Sequence, residues 1–204
     1  MTETTGRRAV GFEDWVAMLR TGKALYRVSE LARLAGHSEQ ATRRAAHRLA
    51  QRGWLARVGK GLYANMLHPG GPPTVEDVAG VLYPPAYISL ESVLFAAGIV
   101  DQAPHVLTCV TTNKTKRFRT GLGEIRYQQL KPDLFFGYEL EGGIPRAHPE
   151  KAVLDFLYLE LRGGRGPVLD EWNWDELDPS LLHRWATSYP NTVRELVPSC
   201  PPAT

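Results

Sequence analysis

The segment "SELARLAGHSEQATRRAAHRLAQRG", residues 29–53, stops one helix and starts another within three residues, and this limits the possible folds more than any other feature. Ser29 is a good N-cap for a helix whose inner face carries Leu31, Leu34 and Ala35, and Gly36 ends it. Ser38 then caps a second helix with Thr42, Ala45, Ala46 and Leu49 facing inward, closed by Gly53. A turn this short holds the helices together at a steep angle, and the small Ala32 and Ala45 let them approach. The pattern predicts a helix-turn-helix.

The flanks extend it. Phe12, Trp15, Val16 and Leu19 share one face of a helix that Gly22 stops, and Leu25, Tyr26 and Val28 form a short extended stretch. After Gly53, "WLARV" and "GLYAN" read as two strands around a Gly-Lys-Gly turn with Lys60 at its tip. Helix, helix-turn-helix and basic-tipped hairpin in that order make a winged helix. The outward positions of the second helix are Glu39, Gln40, Arg43, Arg44, His47, Arg48 and Gln51. On an arbitrary helix such residues are solvated surface. On the second helix of a helix-turn-helix they face the major groove, where Arg pairs bidentately with guanine and Gln with adenine. Gln40, Arg43, Arg44 and His47 are therefore the expected base readers, and Lys23, Ser38, Arg48, Arg57 and Lys60 the expected phosphate contacts.

Charge supports a division of the chain. Residues 1–65 carry 12 Lys and Arg against 5 Asp and Glu, a net of +7, whereas residues 66–204 carry 12 against 17, a net of −5. Unlike charge balances imply unlike partners. The sign changes at "LHPGGPPT", where Gly and Pro prevent any regular element from continuing. The expected organisation is a winged helix-turn-helix domain over 1–66, a linker over 67–74, an α+β domain over 75–197 and a flexible tail over 198–204. The opening "MTETTGRRAVGFEDW" has no apolar signal region, and no run approaches the roughly 20 apolar residues of a membrane helix. Cys109 and Cys200 form no disulfide framework, so a cytoplasmic protein is expected.

The acidic part mixes helix and strand, with a small sheet and one buried helix. "VEDVAGVL" and "ESVLFAAG" read as helices joined by the extended bridge "AYISL". "HVLTCVT", "RFRTGLGEIRYQQL" and "LFFGYEL" read as β runs, the second turning at Gly121-Leu122-Gly123. "HPEKAVLDFLYLELRGG" is apolar nearly all round and should be the buried central helix, with a last helix near "PSLLHRWATSY" over the sheet. No phosphate-binding Gly-Lys-Ser/Thr loop, His-Glu-x-x-His or Gly-x-Ser-x-Gly occurs, and the six His lack metal-ligand spacing. Glu150, Lys151 and Asp155 are the ingredients of a nuclease site, but on so apolar a helix they read as a cap and two flanking polar contacts. No catalytic site, metal or cofactor is expected. Lys114, Lys116, Arg117 and Arg119 crowd one hairpin arm, either as protection of an edge strand or as a contact to DNA backbone or an acidic partner.

The ordered blocks "SELARLAGHSEQATRRAAHRLAQRGWLARVGKGLYAN", "YISLESVLFAAGIV", "HVLTCVTT", "GEIRYQQL" and "HPEKAVLDFLYL" resemble the AbiEi family of antitoxins from type IV toxin-antitoxin systems, over residues 10–162. The resemblance implies an N-terminal winged helix that represses its own operon and a C-terminal antitoxin domain. It further implies a nucleotidyltransferase-like toxin as partner, counteracted directly or indirectly, and promoter DNA with inverted repeats. An ordinary winged-helix regulator with a ligand-sensing or dimerisation domain is the alternative, and an enzyme fused to a DNA-binding module a third.

Overall fold

The computed structural model describes residues 10–164 and 166–198. Residues 1–9, Cys200 and the expected tail beyond Pro198 lie outside the described residues. Contacts divide the chain into two compact units, one reaching to Thr74 and including 120–122, the other comprising 75–119 and the chain from Gly123 onward.

The first unit begins with α1 (Phe12–Arg20), which turns Trp15 and Leu19 into the core. The Asp14 carboxylate accepts the free Gly11 N–H at 2.8 Å, a first-turn cap. Strand β1 (Leu25–Arg27) runs straight into α2 (Val28–Ala35). The expected N-cap at Ser29 is corrected: Arg27 is the N-cap and the helix starts two residues earlier, at Val28, whose N–H is taken by the Gly61 carbonyl at 2.9 Å and whose side chain is drawn into the core. Glu30 then accepts the Arg27 N–H at 2.7 Å. With Val28 in the core, the buried stripe is Val28, Leu31, Ala32 and Ala35 at i, i+3, i+4 and i+7, and Leu34, expected inside, lies off it and is 53% exposed.

Gly36 ends α2 in the left-handed conformation at φ 64°, where a Cβ would be strained. Helix α3 (Glu39–Gln51) follows, its Ser38 Oγ accepting the Ala41 N–H at 3.3 Å. Thr42, Ala45, Ala46 and Leu49 are its buried face, as the sequence predicts. Strands β2 (Leu55–Gly59) and β3 (Leu62–Asn65) form the antiparallel wing, and β1 adds to β3, giving the order β1-β3-β2. The wholly buried Asn65 closes the unit: its Nδ2 donates to the Leu19 and Lys23 carbonyls at 2.7 and 3.1 Å, and its Oδ1 accepts the Leu67 N–H at 3.0 Å.

The second unit is a six-stranded mixed sheet with helices. Its elements are α4 (Val75–Leu82), β4 (Ala86–Ile88), α5 (Glu91–Ala96), β5 (Leu107–Thr111), β6 (Lys116–Thr120), β7 (Gly123–Gln129), β8 (Tyr138–Glu141), β9 (Ile144–Ala147), α6 (Pro149–Arg162), α7 (Pro179–Ala186) and α8 (Asn191–Arg194). The strand order is β6-β7-β5-β4-β9-β8, with β5 parallel to β7 and β4 parallel to β9. "AYISL", expected as a bridge, supplies the central strand β4. "LFFGYEL" is not one strand: Pro132–Leu134 form a 3-10 turn, Gly137 sits at φ 69°, and only Tyr138–Glu141 extend. Helices α7 and α8 pack on α6.

The expected polar margin of α6 is also corrected. Lys151 and Asp155 are both 0% exposed and form an ion pair one turn apart. Tyr87 and Tyr189 hydroxyls donate to the Asp155 carboxylate at 2.9 and 2.8 Å and Ser89 at 3.1 Å, while Lys151 Nζ also donates to the same two tyrosines at 2.9 and 2.7 Å. Every Nζ proton thus has an acceptor. Burial pulls the Lys151 ammonium below the ordinary lysine range and Asp155 pushes it back up; burial, then Asp155, drives both tyrosines upward, so they stay protonated donors. Asp155→Ala, which strands a buried cation, is expected to cost about 3–5 kcal/mol in urea unfolding of the second unit. Lys151→Met/Asp155→Leu should recover part of that loss; a single-variant cost below about 1 kcal/mol would contradict the network's role.

Candidate nucleic-acid interface

The first unit presents its basic residues from three places: the outward face of α3, the wing and the turn before β1. Along α3, Gln40, Arg44, His47 and Gln51 follow helical spacing down the middle of the exposed face, opposite the buried stripe. Arg43 and Arg48, also exposed, lie on opposite flanks of that row. Arg43 is held by Glu39 one turn before it, at 2.8 Å, with both side chains more than half exposed. Such a pair contributes only about 0.3–0.5 kcal/mol, little enough to exchange for another acceptor. Arg44, His47 and Arg48 have no ion-pair partner among the described residues.

The other expected contacts stand differently. Lys23 pairs with Glu30, whose carboxyl is held below its usual range first by that bond and then by the Arg27 N–H. This pair was hidden in the sequence, since the residues are seven apart across a strand-to-helix junction and follow no single period. Ser38 Oγ is engaged as the α3 cap but keeps its own O–H to donate. Arg57 projects from β2, and Lys60 stands exposed at the wing turn ahead of Gly61 at φ 69°.

The basic hairpin of the second unit is largely occupied. Arg117 and Arg119 both pair with Glu124 of the neighbouring strand, and Lys116 Nζ lies over the Phe118 and Tyr83 rings at 4.7 and 5.4 Å. Lys114 alone of the four has no charge or ring partner among the described residues. Strand β6 is a sheet edge, and paired cations there fit protection of an exposed ladder. Among the described residues no group of three or more His, Cys, Asp and Glu could hold a metal, and no helix is long and apolar enough to cross a membrane.

A contacting helix pair joined by a three-residue turn, a basic second helix and a β wing define a winged helix-turn-helix. Residues 27–65 match the model of a family described as transcriptional regulator, AbiEi antitoxin. This stretch runs from the residue that caps α2 to the last residue of β3, and the resemblance read from the sequence is borne out over it. No curated protein matches the chain.

Glu30 offers a direct check on this geometry. Glu30→Ala removes the Arg27 N–H acceptor and the Lys23 partner together, and an expected loss of about 1 kcal/mol should appear in thermal unfolding. A lowered carboxyl pKa means that the folded state releases the proton more readily than the unfolded chain. The contribution is therefore full above the ordinary carboxylate range and fades as pH falls through the lowered value, so the difference between wild type and Glu30→Ala should shrink on acidification.

Proposed function

We propose that this protein is a DNA-binding autorepressor and the antitoxin of a type IV toxin-antitoxin system, counteracting a nucleotidyltransferase-like toxin. The observation that carries the reading is the exposed basic face of α3 within a segment that matches AbiEi transcriptional regulators. Gln40, Arg43, Arg44 and His47 read bases in the major groove, with Arg43 exchanging Glu39 for its target. Lys23, Ser38, Arg48, Arg57 and Lys60 hold phosphates, Lys23 by leaving Glu30. One winged helix reads few base pairs, so two copies occupy an inverted repeat. On this reading the chain works in the cytoplasm as a binding protein without a cofactor. The family match ends at Asn65, which makes a ligand-sensing or dimerisation role the alternative for the second unit. A nucleotidyltransferase gene beside this one would decide against it.

Footprinting of the upstream region should protect two inverted half-sites; protection no better than on random DNA would refute the repressor reading. Arg44→Ala should lose roughly 1–3 kcal/mol on the operator and relax its sequence preference. Lys60→Ala should weaken all sequences alike and lower the salt slope by about one. For the antitoxin role, a fragment from Pro72 onward is expected to relieve growth arrest by the neighbouring toxin, while residues 1–70 are not. A folded fragment that fails to rescue would remove the division of labour.

A further inference from the structure

We propose that the outer face of α1 is a twofold interface through which two copies of this chain pair antiparallel. Helix α1 buries Trp15 and Leu19, and its other side carries an apolar stripe: Phe12 is 39% exposed, Val16 half-buried and Ala17 exposed. With Glu13, Arg20 and Trp54 these residues line a shallow depression of about 330 Å³. Its rim is packed by side chains: Trp54 meets Phe12 edge-on at 6.0 Å and the Arg52 guanidinium lies 3.8 Å from the Phe12 ring centre.

The charges at its two ends name the occupant. Glu13 and Arg20 lie two turns apart on the same stripe, and neither has an ion-pair partner among the described residues. If a dyad passes between Val16 and Ala17, antiparallel α1 helices set Glu13 of each copy opposite Arg20 of the other, and Val16 opposite Ala17. The face is its own complement, as a twofold contact requires. Ala17 at the centre lets the axes approach to about 8–10 Å. The helix macrodipole explains an acidic first turn and a basic last turn. It does not explain exposed apolar residues between them beside an aromatic pair. One helix pair falls at the small end of specific interfaces, under about 1,200 Å², so pairing should be weak in solution and effective once DNA holds two copies side by side.

The DNA arm of the test rests on the function proposed above, and the solution arm does not. Sedimentation of the full chain at micromolar concentration should show a monomer–dimer equilibrium. Glu13→Arg and Arg20→Glu should each weaken it about tenfold, since each puts like charges opposite one another. Glu13→Arg/Arg20→Glu should restore it, a rescue that damage to α1 alone cannot produce. Ala17→Glu, which sets two carboxylates at the dyad and leaves the helix ends intact, should also dissociate the dimer. Cooperativity on paired half-sites should follow the same order, while affinity for a single half-site stays unchanged. Loss of single half-site binding would count against the α3 reading and not against the dimer. A chain that stays monomeric, a dimer indifferent to the single variants, or a double variant that fails to recover would overturn the proposal and leave the face to another partner.

Discussion

Polar groups taken wholly out of water organise both units, because a buried donor or acceptor left without a partner costs on the order of 1–3 kcal/mol and a charge more. Asn65 meets this constraint in the first unit. Its amide ties the end of the wing to the last turn of α1 and to the carbonyl of Lys23, so two segments 42 to 46 residues apart in sequence share one set of hydrogen bonds. Lys151 and Asp155 meet it in the second. Their pair is satisfied only while β4 supplies Tyr87, the residue just after β4 supplies the Ser89 hydroxyl, and the loop after α7 supplies Tyr189. Displacing any of these would strand a charge, which restricts each unit to one packing.

The same constraint frees the surface for function. With α1, the wing and α2 locked around the core of Trp15, Leu19, Tyr26, Leu31 and Leu49, helix α3 is held by its alanine and leucine face and needs nothing from its arginines. Arg44, His47 and Arg48 are left without ion-pair partners among the described residues, and Arg43 is restrained only by an exposed pair. In the second unit the cations of β6 are mostly consumed by Glu124 and by aromatic rings. Equal numbers of basic residues therefore offer unequal surfaces.

Much of the first unit was legible in the sequence. The stripe Thr42, Ala45, Ala46 and Leu49, the Gly36 stop, the Ser38 cap and the Gly-Lys-Gly wing turn each follow from a local rule of spacing or conformation, and each appears where it was read. Ser29 and Leu34 were misread for one reason. A strand that feeds directly into a helix moves the helix start by two residues, from a cap at Ser29 to one at Arg27, and only the β1–β3 pairing reveals it. In the second unit, the apolar character of α6 showed that it is buried, but Lys151 and Asp155 looked like a wet margin because their tyrosine partners lie far away in the chain.

By itself the sequence determined what short-range physics controls: where helices start and stop, which face of α3 is apolar, where the basic balance turns acidic, and that residues 29–53 form a helix-turn-helix. Only the tertiary structure decided which charges are spent and which remain available. Lys23 is committed to Glu30, Arg117 and Arg119 to Glu124, and Lys151 to the interior, while Arg44 and Lys60 stay free of ion pairs among the described residues. The reason is the reach of the interactions. A helix cap or an apolar stripe is written within a few residues, whereas the partner of a charge is whatever the fold brings within about 4 Å of it.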